Sequence, residues 1–566
     1  MKWLTLVAVL VGALAVGLAA ERAAIPAGRS GRSVSVAKNG MVATSHPLAV
    51  QVGLDVLKQG GNAVDAAIAA NAAIGLMEPM SCGIGGDLFA LVWDAKTQRL
   101  YGLNASGRAP KRATRQWFVE RGYKEIPTTG PLSWSVPGCV DGWEELRRRF
   151  GTKSLAELLE PSIRYAEDGF PVPEVIAGYW RGAEKLLAKT PEASKTFMQD
   201  GRAPRAGELF RNPYLARTYR ELAANGRETF YRGRIAREIV AYSERVGGLF
   251  SIQDFEEHTS TWVEPVSTTY RGYHVWQLPP PGQGIAVLQI LNLLEPYDLK
   301  RFGPNSPDWW HLFIEAKKLA YADRARYYAD PQFAKVPVAE LISKPYAERR
   351  RQLIRLDKAL TDVPAGDPKL AAGDTIYLCV VDKDRNCVSL IQSNYHSFGS
   401  GLVPGELGFA LQNRGTLLSL DEQHANRLEP GKRPFHTIIP ALVTKDGRPF
   451  FVFGVMGGDM QPQGQVQVLV NLLDFGMDVQ AAGEAPRIEH VGSPTPTGRL
   501  GDPRGGVVLA EPGIPESVVE ELKRRGHEVR RVSRNGGGYQ GILIDWDNGT
   551  LLGGSEYRKD GYAAGY

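Results

Sequence analysis

The sequence predicts a protein built from layers of α-helices and β-sheets, and three observations support this fold class. First, charges recur every three or four positions over residues 155–244, as they do on amphipathic helices. Second, after residue 373 short apolar and β-branched runs alternate with turn residues. Third, a helical segment at 463–475 lies between two hairpins. Helices and sheets that alternate along the chain favour a layered arrangement.

In the N-terminal part, glycines and prolines separate the predicted elements. Gly60-Gly61 interrupts a helical pattern, because glycine weakens a helix interior. The predicted elements are a helix over 47–75 with this interruption, two strands over 89–103, helices over 155–244, a helix from Gly282 to Leu294 and a helix over 309–328. Residues 358–373 are polar and contain aspartate and proline, which is typical of a surface linker.

Strands and hairpins follow the linker. The residues Asp446-Gly447 and Asn548-Gly549 supply turn chemistry between apolar runs. The predicted elements are a strand over 375–381, a strand over 387–392, a hairpin over 441–453, a helix over 463–475 and a hairpin over 542–552. We find no internal repeat.

The composition is that of an ordinary globular protein. Of the 566 residues, 43% are hydrophobic and 23% are charged. The net charge of +5 comes from 67 basic and 62 acidic residues that are mixed along the chain. A nucleic-acid binder concentrates basic residues on one patch or arm, so we expect no nucleic-acid partner.

The N-terminus has the pattern of a secretory signal peptide. Lys2 is followed by an apolar run at 4–18 and then by Ala19-Ala20. The run is short for a membrane span, although an uncleaved anchor stays open. We therefore expect residues 1–20 to be a signal, the protein to be periplasmic or secreted, and no stable membrane insertion.

The four cysteines and nine histidines predict neither a disulfide scaffold nor a metal centre. Their spacing matches no zinc-binding pattern, and we expect the cysteines to be small buried apolar residues. No phosphate-binding or dinucleotide motif is found. The glycine-rich run at 82–86 is interpreted as a tight turn under a close backbone approach. We expect no cofactor.

Thr375 is the candidate nucleophile. It begins a strand directly after Asp374 and the linker, where a threonine is usually structural. If the Asp374–Thr375 bond is cut, Thr375 gains a free α-amine with a pKa of about 7.7–8.0. That amine can accept the proton of the threonine's own hydroxyl, so a single residue supplies nucleophile and base.

Gly457 and Gly458 are candidate oxyanion donors. They follow a strand and precede a helix, and paired glycines there can turn two backbone N–H groups towards a cleft. Close packing is the competing interpretation of such a pair.

These residues belong to a wider resemblance that spans about 40–566. The chain resembles the γ-glutamyltransferases, N-terminal-nucleophile (Ntn) hydrolases with an α+β fold of four αββα layers. The matching segments are GLDVLKQGGNAVDAAIAA, SCGIGGDLFA, SVPGCVDGW, QLPPPGQGIAVLQIL, EAKKLAYADRARYYADP, DTIYLCVVDKDRN, PGKRPFHTIIPAL, FGVMGGDMQPQG and YRKDGYAAGY.

The resemblance implies roles for several residues. Thr375 corresponds to the self-processing nucleophile, and Ser393 to a hydroxyl residue that helps position it. Gly457 and Gly458 correspond to the oxyanion pair. Cleavage between Asp374 and Thr375 would give a large subunit of residues 21–374 and a small catalytic subunit of residues 375–566.

The donor pocket departs from the pattern of the glutathione-cleaving members. Ser106 stands where those members have an arginine, and Arg108 is a possible substitute. Leu417 stands where an aspartate holds the substrate ammonium. The other differences are Tyr395 for an asparagine, His436-Thr437 for a serine pair, and Arg414 for a neutral residue.

This pocket resembles that of the cephalosporin-acylase-like members. We predict that Arg108, Tyr395, Arg414, His436 and Thr437 contact the substrate and that the pocket accepts an anionic acyl group.

Three functions stay open. The first is a γ-glutamyltransferase or glutathione hydrolase, acting on γ-glutamyl or similar acyl amides with water, an amino acid or a peptide as acceptor. The second is a cephalosporin-acylase-like or other small-amide hydrolase with the same machinery. The third is a non-catalytic exported binding protein.

Overall fold

Two antiparallel sheets form the centre of the protein, which is seen here in a computed structural model that describes residues 31–361, 363 and 374–566. The strands are β1 (Ser35–Ala37), β2 (Met41–Thr44), β3 (Asp87–Asp94), β4 (Arg99–Ala105), β5 (Phe170–Pro171), β6 (Leu209–Phe210), β7 (Thr261–Val263), β8 (Val266–Tyr270), β9 (Tyr273–Gln277), β10 (Asp374–Val381), β11 (Cys387–Tyr395), β12 (Ala441–Lys445), β13 (Arg448–Val455), β14 (Ile488–Val491), β15 (Val507–Ala510), β16 (Glu528–Arg531), β17 (Tyr539–Asp545), β18 (Thr550–Ser555) and β19 (Tyr562–Gly565).

Each central sheet has seven strands. Sheet A has the order β1-β18-β17-β13-β12-β9-β8, and sheet B has the order β19-β2-β10-β11-β3-β4-β7. Strands β14, β15 and β16 form a small third sheet, and β5 pairs with β6. Both central sheets therefore combine strands from before and after residue 375.

The described residues form twenty α-helices, and some of them cover the outer face of each central sheet. They are α1 (Pro47–Lys58), α2 (Ala63–Met77), α3 (Arg115–Glu120), α4 (Cys139–Phe150), α5 (Leu155–Asp168), α6 (Glu174–Gly182), α7 (Glu184–Leu187), α8 (Pro191–Phe197), α9 (Pro213–Asn225), α10 (Arg227–Tyr231), α11 (Arg234–Arg245), α12 (Ile252–Glu256), α13 (Gly284–Leu294), α14 (Leu299–Phe302), α15 (Pro307–Tyr327), α16 (Val338–Leu341), α17 (Lys344–Arg351), α18 (Met460–Leu473), α19 (Val479–Glu484) and α20 (Glu516–Arg524). None of these described helices is long and apolar enough to cross a bilayer.

Three apolar cores separate the four layers. One lies between sheet B and helices that include α1 and α2, one between the two sheets, and one between sheet A and α13, α15 and α18. Strand β10 contributes side chains to two of the cores, because successive side chains point to opposite faces of the strand. Ile376 and Leu378 face the helices, whereas Tyr377 and Cys379 face sheet A. This arrangement confirms the α+β αββα sandwich.

The structure confirms the predicted elements in the parts of the chain that it describes. The expected break after α1 is present, because Asn62 and Asp65 form a reciprocal capping box that begins α2. Strands β1, β2, β5–β9, β14–β16 and β19 were not predicted from the sequence. Residues 1–20, the expected signal, and most of the expected linker lie outside the described residues.

The four cysteines are buried and form no disulfide, which confirms the expectation that they act as small apolar residues. Cys379, for example, packs between the two sheets.

The two sheets approach closely at Gly454, and this contact predicts a large effect of a small substitution. A Cβ on Gly454 would lie 2.5 Å from the ring of Tyr377. We expect Gly454→Ala to lower the free energy of unfolding by about 1–3 kcal/mol through overpacking. Gly178, in the exposed part of α6, serves as the control, because a Cβ added there would meet no atom within 4 Å. Thermal unfolding should show Gly178→Ala to be neutral or stabilising; equal losses in the two variants would contradict the prediction.

Candidate active site

Thr375 lies at the start of β10, buried between the sheets. The strand pairing is irregular there, because Asp374 is opposite Tyr395 while Ile376 is opposite Gln392. Two residues of β11 therefore face one residue of β10, which is a β-bulge. The bulge places the Thr375 Oγ1 hydroxyl 3.3 Å from the Oγ of Ser393.

Ser393 and Tyr395 are held by the same bulge. The backbone N–H of Tyr395 donates to the Oγ of Ser393 at 2.8 Å. Tyr395 has a φ of 78°, a conformation that is rare for a bulky residue and that is found mainly where the surrounding structure enforces it. The backbone of Ser393 is also approached closely by Gly86, whose Cβ would lie 2.5 Å from the Ser393 carbonyl oxygen. This confirms the interpretation of the run at 82–86 as a close backbone approach.

The glycine pair follows β13, the strand of sheet A that carries Gly454. Gly457 and Gly458 have φ angles of 100° and 54°, which favour glycine. Within the described residues, neither backbone N–H donates to a backbone carbonyl. A side chain at Gly457 would collide with the backbone N of Gly537, 2.6 Å from the Cβ position. The loop therefore requires glycine and leaves two donors available.

A buried network from α13 and α15 fixes this glycine loop. Gln283, at the start of α13, donates through Nε2 to the carbonyl oxygens of Gly458 (2.9 Å) and Thr437 (2.7 Å). Its Oε1 accepts from Arg324 Nη1 at 2.5 Å. Arg324 also pairs with Asp459 at 2.7 Å. No local sequence pattern indicates these three side chains, because their roles depend on contacts between distant segments.

Arg414 lies in a 3₁₀ turn and is fully buried. Its Nη1 donates to Thr437 Oγ1 at 3.3 Å, and its guanidinium lies 5.3 Å from the centre of the Tyr395 ring. Within the described chain, its Nε and Nη2 have no hydrogen-bond partner, and the same holds for the Tyr395 hydroxyl. Burial lowers the pKa of Arg414 to about 10, so the side chain stays charged at neutral pH.

A continuous series of contacts brings most of the predicted site residues together. In order, it joins Thr375, Ser393, Tyr395, Arg414, Thr437, Gln283 and Gly458.

His436 is held by its own hydrogen bonds. Its Nδ1 lies 2.7 Å from the Pro434 carbonyl oxygen, and its Nε2 lies 2.6 Å from Asp87 Oδ2. Because the pKa of Asp87 is lowered and its carboxylate is an acceptor, Nε2 is the donor in this contact, while burial and the charge of Arg414 lower the pKa of His436. These bonds favour a positioning role for His436, and its predicted contact with substrate stays a prediction.

Asp87 is a buried centre of hydrogen bonding that sequence reasoning missed. Besides His436, it accepts from the N–H groups of Gly107 (2.9 Å) and Gly138 (3.1 Å) and from Gln412 Nε2 (2.8 Å). Burial alone would raise the pKa of its carboxyl, but His436, Arg414 and Gln412 outweigh burial and lower it. Asp87 directly follows the glycine-rich run at 82–86, and that position was the only available signal.

Arg108 is separated from this series. Its Nη1 reaches Gln332 Oε1 at 3.4 Å, and the side chain is partly exposed. Burial lowers its pKa, although the charge of Asp330 opposes that effect. None of the contacts found in the described chain joins Arg108 to Thr375 or Arg414, so its substrate role also stays a prediction.

One group in the described residues has the composition of a metal site. His311, Glu315 and His527 are buried with ligand atoms within 4.8 Å of one another. His311 Nδ1 lies 2.8 Å from His527 Nε2, and Glu315 pairs with Lys318 at 2.9 Å. These polar groups thus satisfy one another, and the adjacent Lys318 cation disfavours a bound dication.

The hydrogen bonds of Asp87 predict how stability depends on pH. Because the folded-state pKa is lowered, Asp87 stabilises the fold above its unfolded pKa of about 3.9, and this contribution is lost as the pH falls through the folded value. We expect Asp87→Ala to cost about 3–5 kcal/mol. Urea unfolding between pH 3 and 7 should show a weaker acid dependence in Asp87→Asn than in the control Asp384→Asn, which changes an exposed turn. Identical pH profiles would contradict the assignment.

Comparison with known proteins agrees with the geometry. The family model described as Gamma-glutamyltranspeptidase matches residues 49–566. The Glutathione hydrolase-like YwrD proenzyme of Bacillus subtilis is 39% identical over 93% of this chain and 98% of its own. The Acylase ACY 1 proenzyme of Pseudomonas sp. (strain V22) is 36% identical, over 92% of each chain.

A solved structure extends the comparison to the fold. The cephalosporin acylase from Bacillus halodurans has a TM-score of 0.88 and 43% identity, over 97% of this chain and 99% of its own. The match to the family model covers nearly the whole chain and includes the αββα core. This chain is therefore a member of the γ-glutamyltranspeptidase family of Ntn-hydrolase enzymes.

Proposed function

We propose that the enzyme is made as a precursor that cuts itself between Asp374 and Thr375 and then uses Thr375 to cleave amides. The observation that carries this proposal is the Thr375 hydroxyl, held 3.3 Å from Ser393 Oγ at the start of β10. A cut there would yield residues 21–374 and 375–566. Since both sheets contain strands from each side of the cut, the two chains would stay associated through backbone hydrogen bonds.

The residues support an acyl-enzyme mechanism. The free amine of Thr375 takes the hydroxyl proton, and Oγ1 attacks the amide carbonyl carbon. The N–H groups of Gly457 and Gly458 donate to the resulting oxyanion. The C–N bond then breaks, the amine leaves with a proton, and an ester joins the acyl group to Oγ1. Water or a second amine attacks this ester and releases an acid or a new amide.

Two substrate classes are supported by the relatives. Similarity to a glutathione hydrolase-like proenzyme supports γ-glutamyl amides as substrates of this chain, and similarity to the acylases supports other small amides. Both would use the same Thr375 chemistry with water or an amine as acceptor. The signal-like pattern at residues 1–20 supports export to the periplasm or the exterior.

Replacement of Thr375 tests the nucleophile. Thr375→Ala should give an uncut, inactive chain, because both self-cleavage and catalysis need the hydroxyl. Thr375→Ser keeps a hydroxyl and should still be cut. Thr550→Ala, which changes the threonine that begins β18, is the structural control and should be cut normally. Intact mass and N-terminal sequencing under denaturing conditions check this. A cut Thr375→Ala chain would exclude Thr375 as the nucleophile.

Replacement of Ser393 tests its positioning role. Ser393→Ala removes the hydroxyl that Thr375 contacts, so kcat should fall about tenfold, the size of one hydrogen bond, with little change in KM. Ser389→Ala in the same strand removes a hydroxyl that bonds Tyr377 instead, and it is the matched control. Steady-state kinetics on the cut enzymes would contradict the role if Ser389→Ala lowered kcat as much as Ser393→Ala.

A further inference from the structure

Arg414 is a buried cation whose hydrogen bonds are incomplete. Its side chain has no exposed surface, and two of its N–H positions have no partner in the described chain. A buried guanidinium with unpaired donors is costly unless an anion completes its hydrogen bonds. The free Nε and Nη2 groups belong to one planar fork, which suits a carboxylate with two oxygens.

The acidic side chains near Arg414 already have partners. Asp87, whose charge acts on Arg414, accepts from His436, Gly107, Gly138 and Gln412. These donors occupy both of its oxygens, and Arg414 Nη1 bonds Thr437 instead. Asp459, whose charge acts on Tyr395, pairs with Arg324. Within the described residues, the carboxylates around Arg414 thus leave its Nε and Nη2 groups without a hydrogen-bond acceptor.

The 3₁₀ turn that carries Arg414 has no carboxylate that could bind an ammonium group. Leu417, at its other end, is apolar and fully buried. An ammonium placed here would lose its hydration without gaining a carboxylate, and the charge of Arg414 would repel it. Tyr395 instead adds a second donor for an anion, because burial raises the pKa of its hydroxyl and keeps the proton on it.

We propose that the acyl pocket selects monoamides of dicarboxylic acids, whose free carboxylate binds Arg414 and the Tyr395 hydroxyl, and that it discriminates against acyl groups that carry an α-ammonium. The inference rests on the proposed function of Thr375. It makes Arg414 and Tyr395 the residues that determine specificity, whereas the chemistry stays with Thr375, Gly457 and Gly458.

Three anilides that differ by one group each test the proposal. Glutaryl p-nitroanilide has the carboxylate, γ-glutamyl p-nitroanilide adds the ammonium, and pentanoyl p-nitroanilide has neither. With the cut wild-type enzyme, kcat/KM for the glutaryl compound should exceed that for the γ-glutamyl compound at least about 100-fold, because an unpaired buried ammonium is costly. A γ-glutamyl value equal to or above the glutaryl value would overturn the proposal.

Variants distinguish loss of the contact with the substrate carboxylate from a general loss of activity. Arg414→Gln should lower kcat/KM for the glutaryl compound about 10- to 150-fold more than for the pentanoyl compound, the size of a charged hydrogen bond. Arg326→Gln, on the exposed face of α15, is the control and should change neither. Equal losses on both substrates in Arg414→Gln would show a structural role and overturn the proposal.

A second variant keeps the test decisive if Arg414→Gln does not fold. Leu417→Asp supplies the missing carboxylate, so it should raise the ratio of γ-glutamyl to glutaryl activity at least about tenfold. An unchanged ratio in a correctly cut Leu417→Asp enzyme would count against the proposal. Failure of the proposed function looks different, since the wild type would then stay uncut or release p-nitroaniline from none of the three anilides.

Discussion

The structure depends on the close packing of two sheets that are each assembled from both halves of the chain. Strand β10 pairs with β2 on one side and with β11 on the other, so the segment that begins at Asp374 lies in the middle of sheet B. Its alternate side chains fill two of the three apolar cores. The proposed cut before Thr375 would therefore remove one covalent bond and leave the hydrogen bonds and apolar contacts that hold the layers together.

The same packing limits where reactive groups can lie. Between the sheets, the ring of Tyr377 lies so close to Gly454 that position 454 cannot hold a residue larger than glycine without a shift. The proposed catalytic groups lie at the ends of the central strands: the bulge places Thr375 beside Ser393, and Gly457 follows the end of β13. Strand ends combine a rigid scaffold with free backbone donors, which suits a mechanism that needs positioned N–H groups.

The sequence predicted the elements that local patterns determine. Glycine pairs, turn residues and apolar periodicity located helices α1, α2, α5–α11, α13, α15 and α18, strands β3, β4, β10–β13, β17 and β18, and the glycine loop. It did not predict the network of Gln283 and Arg324 or the separate hydrogen bonds of Asp87, because each of these residues acts through partners far away in the chain. Asp87 and His436, for instance, are 349 positions apart. The short edge strands β7 and β8 were also missed, since their pattern is not distinguishable from that of a loop.

Family membership and substrate preference depend on different features of the structure. The features typical of the family lie in the backbone: a threonine at the start of a strand, a bulge and a glycine loop. We propose that substrate choice depends on which charged groups already have partners: Asp87 and Asp459 are paired, whereas Nε and Nη2 of Arg414 have no partner in the described chain. Leu417 is apolar and fully buried, so it offers no carboxylate to an ammonium. The proposal for Arg414 therefore implies that this fold can keep the chemistry proposed for Thr375 while the charge of the preferred acyl group changes.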